Sequence, residues 1–215
     1  MNKKTILLLA ITLSGIIALS ARTLRQDRAT YLSKLENEIL QEMNLARTAP
    51  QTYAKLLEDY RNTFEGNLVK RPGQPDLQTN EGTSAVDEAI GFLKKQEALG
   101  ALRPSKGMSK AAKDHVRDQG PTGQVGHVGT NGSDIETRLN RHGKWDIRIA
   151  ENISYGMKTG RSVVIQLIVD DGLPKRGHRD NIFEAKFQRA GIACGPHKVY
   201  GIMCVQTFAG EYNEK

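Results

Sequence analysis

The chain has 215 residues, of which 38% are hydrophobic and 26% charged, and its formal net charge at pH 7 is +7. This composition excludes an intrinsically disordered or fibrous protein, and the length fits one domain of ordinary size with a short extension. The positive charge permits attraction to anionic surfaces. The charges are scattered and no nucleic-acid-binding motif accompanies them, so we expect no nucleic-acid partner.

Residues 1–21 have the pattern of a secretory signal peptide. The segment starts with two lysines, and residues 6–18 are apolar with few interruptions. Because a membrane-spanning helix needs about 20 apolar residues, we predict a secreted or periplasmic protein with no stable membrane span after cleavage. The alternative is an uncleaved anchor, since no charge lies between those lysines and Arg22. Residues 22–31 are predicted to be a linker and residues 32–213 the folded domain.

The domain begins with two predicted helices, and a long predicted loop follows them. Apolar residues recur at helical intervals between residues 32 and 46, and Ser33 with Glu36 fits a capping box. Pro50 ends this helix and can open the second one. Residues 71–84 are rich in Pro, Gly, Asn and Gln and are predicted to be a loop.

Two further helices are indicated by apolar spacing and glycine stops. The third has its apolar face at residues 86–93 and is predicted to end at Gly100, and the fourth to run from a Ser109 cap to Gly120. His115 lies on the apolar side of the fourth helix. We expect it to be a buried, hydrogen-bonded histidine and not a ligand.

A short helix, a strand and a segment of ambiguous type follow. Ser133 and Glu136 form another capping box, for a helix that ends near Gly143. Residues 145–155 are predicted to include a strand. Residues 162–169 are mostly β-formers, so propensity favours a strand, whereas the glycine that follows them is typical of a helix stop.

A hairpin with both cysteines is predicted near the C-terminus. Cys194 and Cys204 flank residues 196–198, the predicted turn. In an exported protein they can form a disulfide, which would stabilise the fold by about 2–3 kcal/mol across so short a loop. The alternative is two buried free thiols. His142 and His197, at a helix end and at the turn, are expected to be exposed.

Three polar stretches are candidates for a functional site. They are Gly126-His127-Val128-Gly129, Ala150-Glu151-Asn152-Ile153 and Gly177-His178-Arg179-Asp180-Asn181-Ile182, the last preceded by Asp170-Asp171-Gly172. Charged residues are seldom fully buried unless they are paired, and backbone beside glycine can approach a ligand closely. We therefore predict that the three stretches converge on one pocket.

The order and spacing of these segments resemble the CAP superfamily, whose domains are also called SCP domains. The resemblance runs from about Leu35 to Tyr212. It is carried by Ile39 to Arg47, Ala112 to Gln119, the three polar stretches and Val205-Gln206-Thr207-Phe208-Ala209, and the Gly-His-Arg form is similar to bacterial exported members. It implies an α+β fold, a three-layer α/β/α sandwich with a central antiparallel sheet. It also implies that residues 162–171 form a helix.

The resemblance further implies a cavity lined by two histidines and two acids. The matching positions are His127, Glu151 and His178, with Asp170 or Asp171 where the family usually has glutamate. Two imidazoles with carboxylates suit zinc or another divalent cation. The same set could support proton transfer, or could simply tie loops to the sheet through hydrogen bonds.

Two classes of function are compatible with these residues. The first is a secreted binding module that holds a lipid, sterol, peptide or cell-wall fragment, a ligand class taken from the resemblance alone. The second is a hydrolase with metal or His–Glu chemistry. It is the less expected, because the chain has no Gly-x-Ser-x-Gly turn and no metalloprotease helix motif. Lys175, Arg176 and Arg179 either attract an anionic ligand or form a solvated charged run.

Overall fold

A computed structural model describes residues 29–73 and 75–215 of the chain. The predicted signal peptide and most of the predicted linker lie outside these residues. Within the described ranges, no helix combines the length and the apolar character needed to cross a membrane.

The described residues form seven helices and two sheets. The helices are α1 (Lys34–Thr48), α2 (Pro50–Arg61), α3 (Thr83–Lys95), α4 (Lys106–Thr122), α5 (Ile135–His142), α6 (Gly160–Val169) and α7 (Gly177–Phe183). The strands are β1 (Phe64–Glu65), β2 (Leu68–Val69), β3 (Leu77–Gln78), β4 (Arg103–Pro104), β5 (Gly143–Tyr155), β6 (Arg189–His197) and β7 (Gly201–Glu214).

The larger sheet has the strand order β4-β6-β7-β5 and lies between two layers of helices. β7 pairs antiparallel with both β5 and β6, and only the short β4 is parallel to its neighbour. Side chains alternate between the faces, so Cys204 and Phe208 pack in the core of α1 and α6, whereas Met203 and Val205 pack against α4. The predicted α+β fold, an α/β/α sandwich, is confirmed.

α6 is a helix, as the resemblance implies and against the strand that propensity favours. Thr159 and Ser162 form a capping box at its start, and Asp170 ends it in the left-handed region with φ of 55°. Seven of its ten residues are buried against the helices and the sheet around it. This apolar burial outweighs the weak β preference of valine and isoleucine.

The predicted starts of two helices and the end of α4 are wrong by a few residues. α4 begins after Ser105, whose hydroxyl accepts the Met108 N–H, and it runs to Thr122 with Gly123 as its C-cap, beyond the predicted end at Gly120. Gly120 lies inside the helix, where the sheet approaches so closely that a Cβ would lie 2.3 Å from the Pro196 carbonyl oxygen, and this contact accounts for the glycine. α5 is capped by Asp134 and not by Ser133.

The other differences concern α3 and the loop before it. α3 ends at Lys95, five residues before the predicted Gly100. The predicted loop at residues 71–84 contains β3 and the start of α3. β3 adds to the β1–β2 hairpin and forms a small antiparallel sheet, which the composition of the segment does not indicate.

The cysteine hairpin is confirmed, and so is the Cys194–Cys204 disulfide, which joins directly opposed residues of β6 and β7. The turn lies two residues later than predicted, because His197 still pairs with Gly201 in the ladder. The expectation that His197 is exposed is wrong, since it is 2% exposed and its ring lies under the turn. His142 is half-buried against Asp114.

Candidate functional site

Asp170 fixes the backbone and the ring of His178. Its Oδ1 lies 2.6 Å from Nδ1 of His178, and its Oδ2 accepts the backbone N–H of the same residue at 2.9 Å. Asp170 is buried, whereas His178 is 22% exposed in its side chain. Because the carboxylate engages Nδ1, the Nε2 atom of His178 points away from it.

Asp171 has a different role from its neighbour. Its carboxylate accepts the backbone N–H groups of Asn80 and Glu81, which lie just before α3. Of the two aspartates that the resemblance offers, Asp170 therefore pairs with the histidine, and Asp171 ties the end of α6 to the start of α3.

Arginines next to His178 are paired with acids of α3 and its approach. Arg176 donates to both carboxylate oxygens of Glu81, to Glu88 and to the carbonyl oxygen of Asp170. The hydrogen bond from Arg176 lowers the pKa of Glu81 from 4.5 to about 2. Arg179 is buried, donates to Glu88 and lies over the ring of Phe92. These two arginines therefore hold the turn before α7 in place and are not a free anion site.

His127 belongs to a second group, built on Glu151 of β5. Nδ1 of His127 lies 3.0 Å from Oε1 of Glu151, and the Arg138 guanidinium of α5 donates to both oxygens of the same carboxylate at 3.0 and 2.8 Å. The side chains of Arg138 and Glu151 are 1% and 2% exposed, whereas that of His127 is 54% exposed. A buried ion pair thus supports a solvent-accessible imidazole.

The backbone around His127 is held by side chains of α4 and β5. Nε2 of His115 lies 2.9 Å from the Gly126 carbonyl oxygen, and Gln119 donates to the Val128 carbonyl. The Tyr155 hydroxyl accepts the Gly126 N–H. His115 is fully buried, and burial lowers its pKa, so the ring is neutral near pH 7. As predicted, it is a buried, hydrogen-bonded histidine.

The two histidine groups meet β5 at consecutive residues. Glu151 contacts His127, and Asn152 donates to the backbone carbonyl of His178 at 2.9 Å. Because consecutive side chains of a strand point to opposite faces, the His127–Glu151 group lies on the α4–α5 side and the His178–Asp170 group is tied to the α6–α7 side. That both rings face one pocket, with Glu151 beside them, stays a prediction.

A cavity of about 570 Å³ lies beside the His178–Asp170 group. The small sheet, α2, α6 and the end of β5 form its walls, and Asp170, Asp171 and His178 line one part of it. Glu151 and His127 are not among its lining residues. The apolar side chains that line it are those of Tyr60, Phe64, Val69, Pro72, Leu77, Ile153, Tyr155, Met157, Ile165, Leu167, Val169 and Leu173.

The histidines offer donor atoms of the kind that a divalent metal requires. Metal-ligating histidines usually donate one ring N–H to a carboxylate and coordinate through the other nitrogen. His127 and His178 both have such a carboxylate at Nδ1. Among the residues with described positions, no three His, Cys, Asp or Glu side chains are grouped closely enough to hold an ion.

Sequence reasoning found both histidines and their carboxylates but missed the groups that support them. Arg138, Gln119 and Tyr155 reach the His127 segment from three different elements. The sequence of the helix that contains Arg138 is polar and predicts an exposed surface. Only the burial of Arg138 against Glu151 reveals its role. No local pattern of residues signals these long-range contacts.

Comparison with known proteins gives one family and two distant structures. The family model described as cysteine-rich secretory protein family (CAP) matches residues 40–208. An extracellular protein containing an SCP domain from Bacillus anthracis str. Ames is 19% identical with a TM-score of 0.43, over 52% of this chain and 34% of that protein. An outer surface protein from Borrelia burgdorferi is 16% identical with a TM-score of 0.44, over 54% of this chain and 80% of that protein. No curated protein gives a significant sequence match.

Proposed function

The chain belongs to the cysteine-rich secretory protein (CAP) family, and we propose from this premise that it is an exported binding protein whose cavity takes a lipid or sterol. The cavity carries the proposal. It has the volume of a small-molecule site, apolar side chains dominate its walls, and a few polar groups at Asp170 and His178 can orient a ligand. Export rests on the signal-like pattern of residues 1–21.

A binding assay with a matched pair of variants tests the proposal. Leu173 lines the cavity at its exposed edge, whereas Leu68 lies in the small sheet and is exposed without lining the cavity. Leu173→Trp should fill part of the cavity and weaken the binding of fluorescent fatty acids and sterols about tenfold or more. Leu68→Trp should leave the binding of these ligands unchanged. If neither lipids and sterols nor peptide and cell-wall fragments bind saturably, the binding proposal fails.

We extend the proposal to a divalent metal, zinc above all, bound through Nε2 of His127 and His178. Support comes from the carboxylate at Nδ1 of each ring, which leaves Nε2 as the coordinating atom. Bound zinc would raise the melting temperature, because a ligand of the folded state alone stabilises it. The rise should disappear in His127→Ala/His178→Ala and at low pH, where protonated imidazoles cannot coordinate. An unchanged rise in the double variant would refute these ligands.

The second candidate function is hydrolysis, and the pairing of His178 with Asp170 favours it. A buried carboxylate on Nδ1 orients an imidazole for general-base action through Nε2. Peptide, ester and cell-wall substrates should be tested with and without zinc. Turnover that is lost in Asp170→Asn and His178→Ala, and kept in Leu68→Trp, would replace the binding proposal by a hydrolase.

A further inference from the structure

Exposed apolar side chains cluster on two neighbouring loops. Val125 lies after α4, and Val199 and Tyr200 lie in the turn between β6 and β7; their exposures are 55%, 67% and 51%. Side chains of this size exposed singly are ordinary, but a contiguous exposed group on one surface indicates an interaction site.

Backbone contacts make the two loops one surface. Lys198 donates its N–H to the Gly120 carbonyl, and Nε2 of His197 lies 2.9 Å from the Gln124 carbonyl oxygen. Gly123 has φ of +80°, and the Val199 side chain packs so closely there that a Cβ would lie 2.9 Å from its Cγ2. Val125 therefore lies beside the β6–β7 turn. We refer to Val125, Lys198, Val199 and Tyr200 as the apolar–basic surface.

A rigid base supports the apolar–basic surface. The His197 ring is buried beneath it, and its Nδ1 accepts the backbone N–H groups of Val199 and Tyr200. The ring centroids of Tyr155 and Tyr200 lie 5.2 and 5.3 Å from that of His197. The exposed side chains are thus presented in fixed positions by the fold, which reduces the entropy lost when they bind.

The charged side chains on the loops that form this surface are lysines. The adjoining segments, residues 119–128, 155–158 and 196–203, contain Lys158 and Lys198 and no aspartate or glutamate. Residue 156 lies against the Tyr200 carbonyl, which brings the segment 155–158 to the same place. A partner that accepts apolar and aromatic side chains and also carries negative charge therefore fits this surface.

We propose that the apolar–basic surface docks the protein on an anionic lipid membrane. A lipid surface offers both properties together, since tyrosine and valine enter the headgroup boundary while lysine meets anionic headgroups. Soluble anionic polymers offer the charge but no apolar layer. Docking does not require a ligand in the cavity, so it goes beyond the function proposed above.

Docking by this surface would also bring the membrane next to the cavity. The Tyr155 ring lies 5.3 Å from that of Tyr200 and lines the cavity as well. A lipid-derived ligand would then have a short path between the membrane and its site. This connection makes the location of the surface relevant to the binding function without depending on it.

Vesicle sedimentation of the chain without its predicted signal peptide tests the proposal. All variants lack residues 1–21, the predicted signal peptide, because its apolar and basic residues would themselves bind anionic vesicles. Vesicles rich in phosphatidylglycerol should bind the protein more strongly than pure phosphatidylcholine, and salt should weaken the binding. Val125→Ser/Val199→Ser should reduce binding to the anionic vesicles at least fivefold. Lys198→Gln should reduce it by about fivefold, the usual effect of one lysine near such a surface.

The matched control is Ile147→Ser, which removes a side chain of similar exposure, 57%, at the other end of β5. It should bind like the wild type. An unaffected Val125→Ser/Val199→Ser variant, or an equal loss in the control, would overturn the proposal, and so would equal binding to neutral vesicles. In Val199→Trp, tryptophan emission should shift to the blue on anionic vesicles only, and an absent shift would count against insertion. Cavity binding of soluble fatty acid is expected to remain in all these variants.

Discussion

Replacement of Arg138 by methionine should destabilise the protein strongly and release the His127 segment. The guanidinium makes two bonds to the Glu151 carboxylate and also donates to the carbonyls of His127 and Ser133. Without it, the carboxylate stays 2% exposed in wild-type geometry and keeps only the His127 ring as a side-chain partner. Breaking a buried pair by removing one partner costs about 3–5 kcal/mol, and we expect a loss in this range.

Urea denaturation measures this loss, and a second replacement identifies its cause. If the cost comes from an unpaired buried charge, Arg138→Met/Glu151→Gln should be more stable than Arg138→Met alone, since the charge is then removed. The control is Arg141→Met on the same helix, where the Arg141 guanidinium lies 3.7 Å from the Asp114 carboxylate in an exposed pair. This replacement should change the free energy of unfolding by no more than about 0.5 kcal/mol. A cost below about 1 kcal/mol for Arg138→Met, or a double variant as unstable as the single one, would refute the argument.

Three further predictions concern stability. Cys194→Ser/Cys204→Ser should lower the free energy of unfolding by about 2–3 kcal/mol, and the same loss should follow reduction of the wild type. Ile147→Asn should raise the free energy of unfolding by about 0.5–1 kcal/mol, because a β-branched residue is held there at φ of 74°, where asparagine is tolerated. A lower free energy of unfolding in chemical denaturation would contradict this. Glu81 has its pKa lowered to about 2, so its stabilising effect is complete above pH 4.5 and is lost as the pH falls towards 2. The difference in melting temperature between wild type and Glu81→Gln should therefore shrink in acid and in high salt, and a difference that grows in acid would exclude this role.

The layers of the fold could be predicted, whereas several boundaries could not. The Ser33–Glu36 capping box and the Pro50 start of α2 appear as expected, because these signals act within a few residues. The start of α4 was misplaced because two serines four residues apart both fit a cap. Ser105 caps it, whereas the Ser109 hydroxyl donates to the Ser105 carbonyl and accepts the Ile192 N–H. Only the position of β6 decides between the two.

α6 shows the same limit on a larger scale. Its sequence of β-branched residues favours a strand, and its Thr159–Ser162 capping box is a weak signal beside them. What makes it a helix is burial between α1 and the sheet, where a Cβ on Gly160 would lie 2.6 Å from the Glu38 backbone. Such a close approach depends on the final packing, so resemblance to known folds carried information that local propensity lacks.

The candidate site divides at β5 in a way that sequence does not determine. Each histidine and its carboxylate come from polar stretches that are visible in sequence, but the strand assigns Glu151 and Asn152 to opposite faces. A shared pocket therefore requires the two rings to meet beyond the edge of β5, which is an edge strand of the larger sheet. The effect of zinc on the melting temperature distinguishes one shared pocket from two separate groups. If His127 and His178 bind one ion, either alanine variant alone should remove nearly all of the zinc-induced rise in melting temperature. If each group acts separately, the two losses should add.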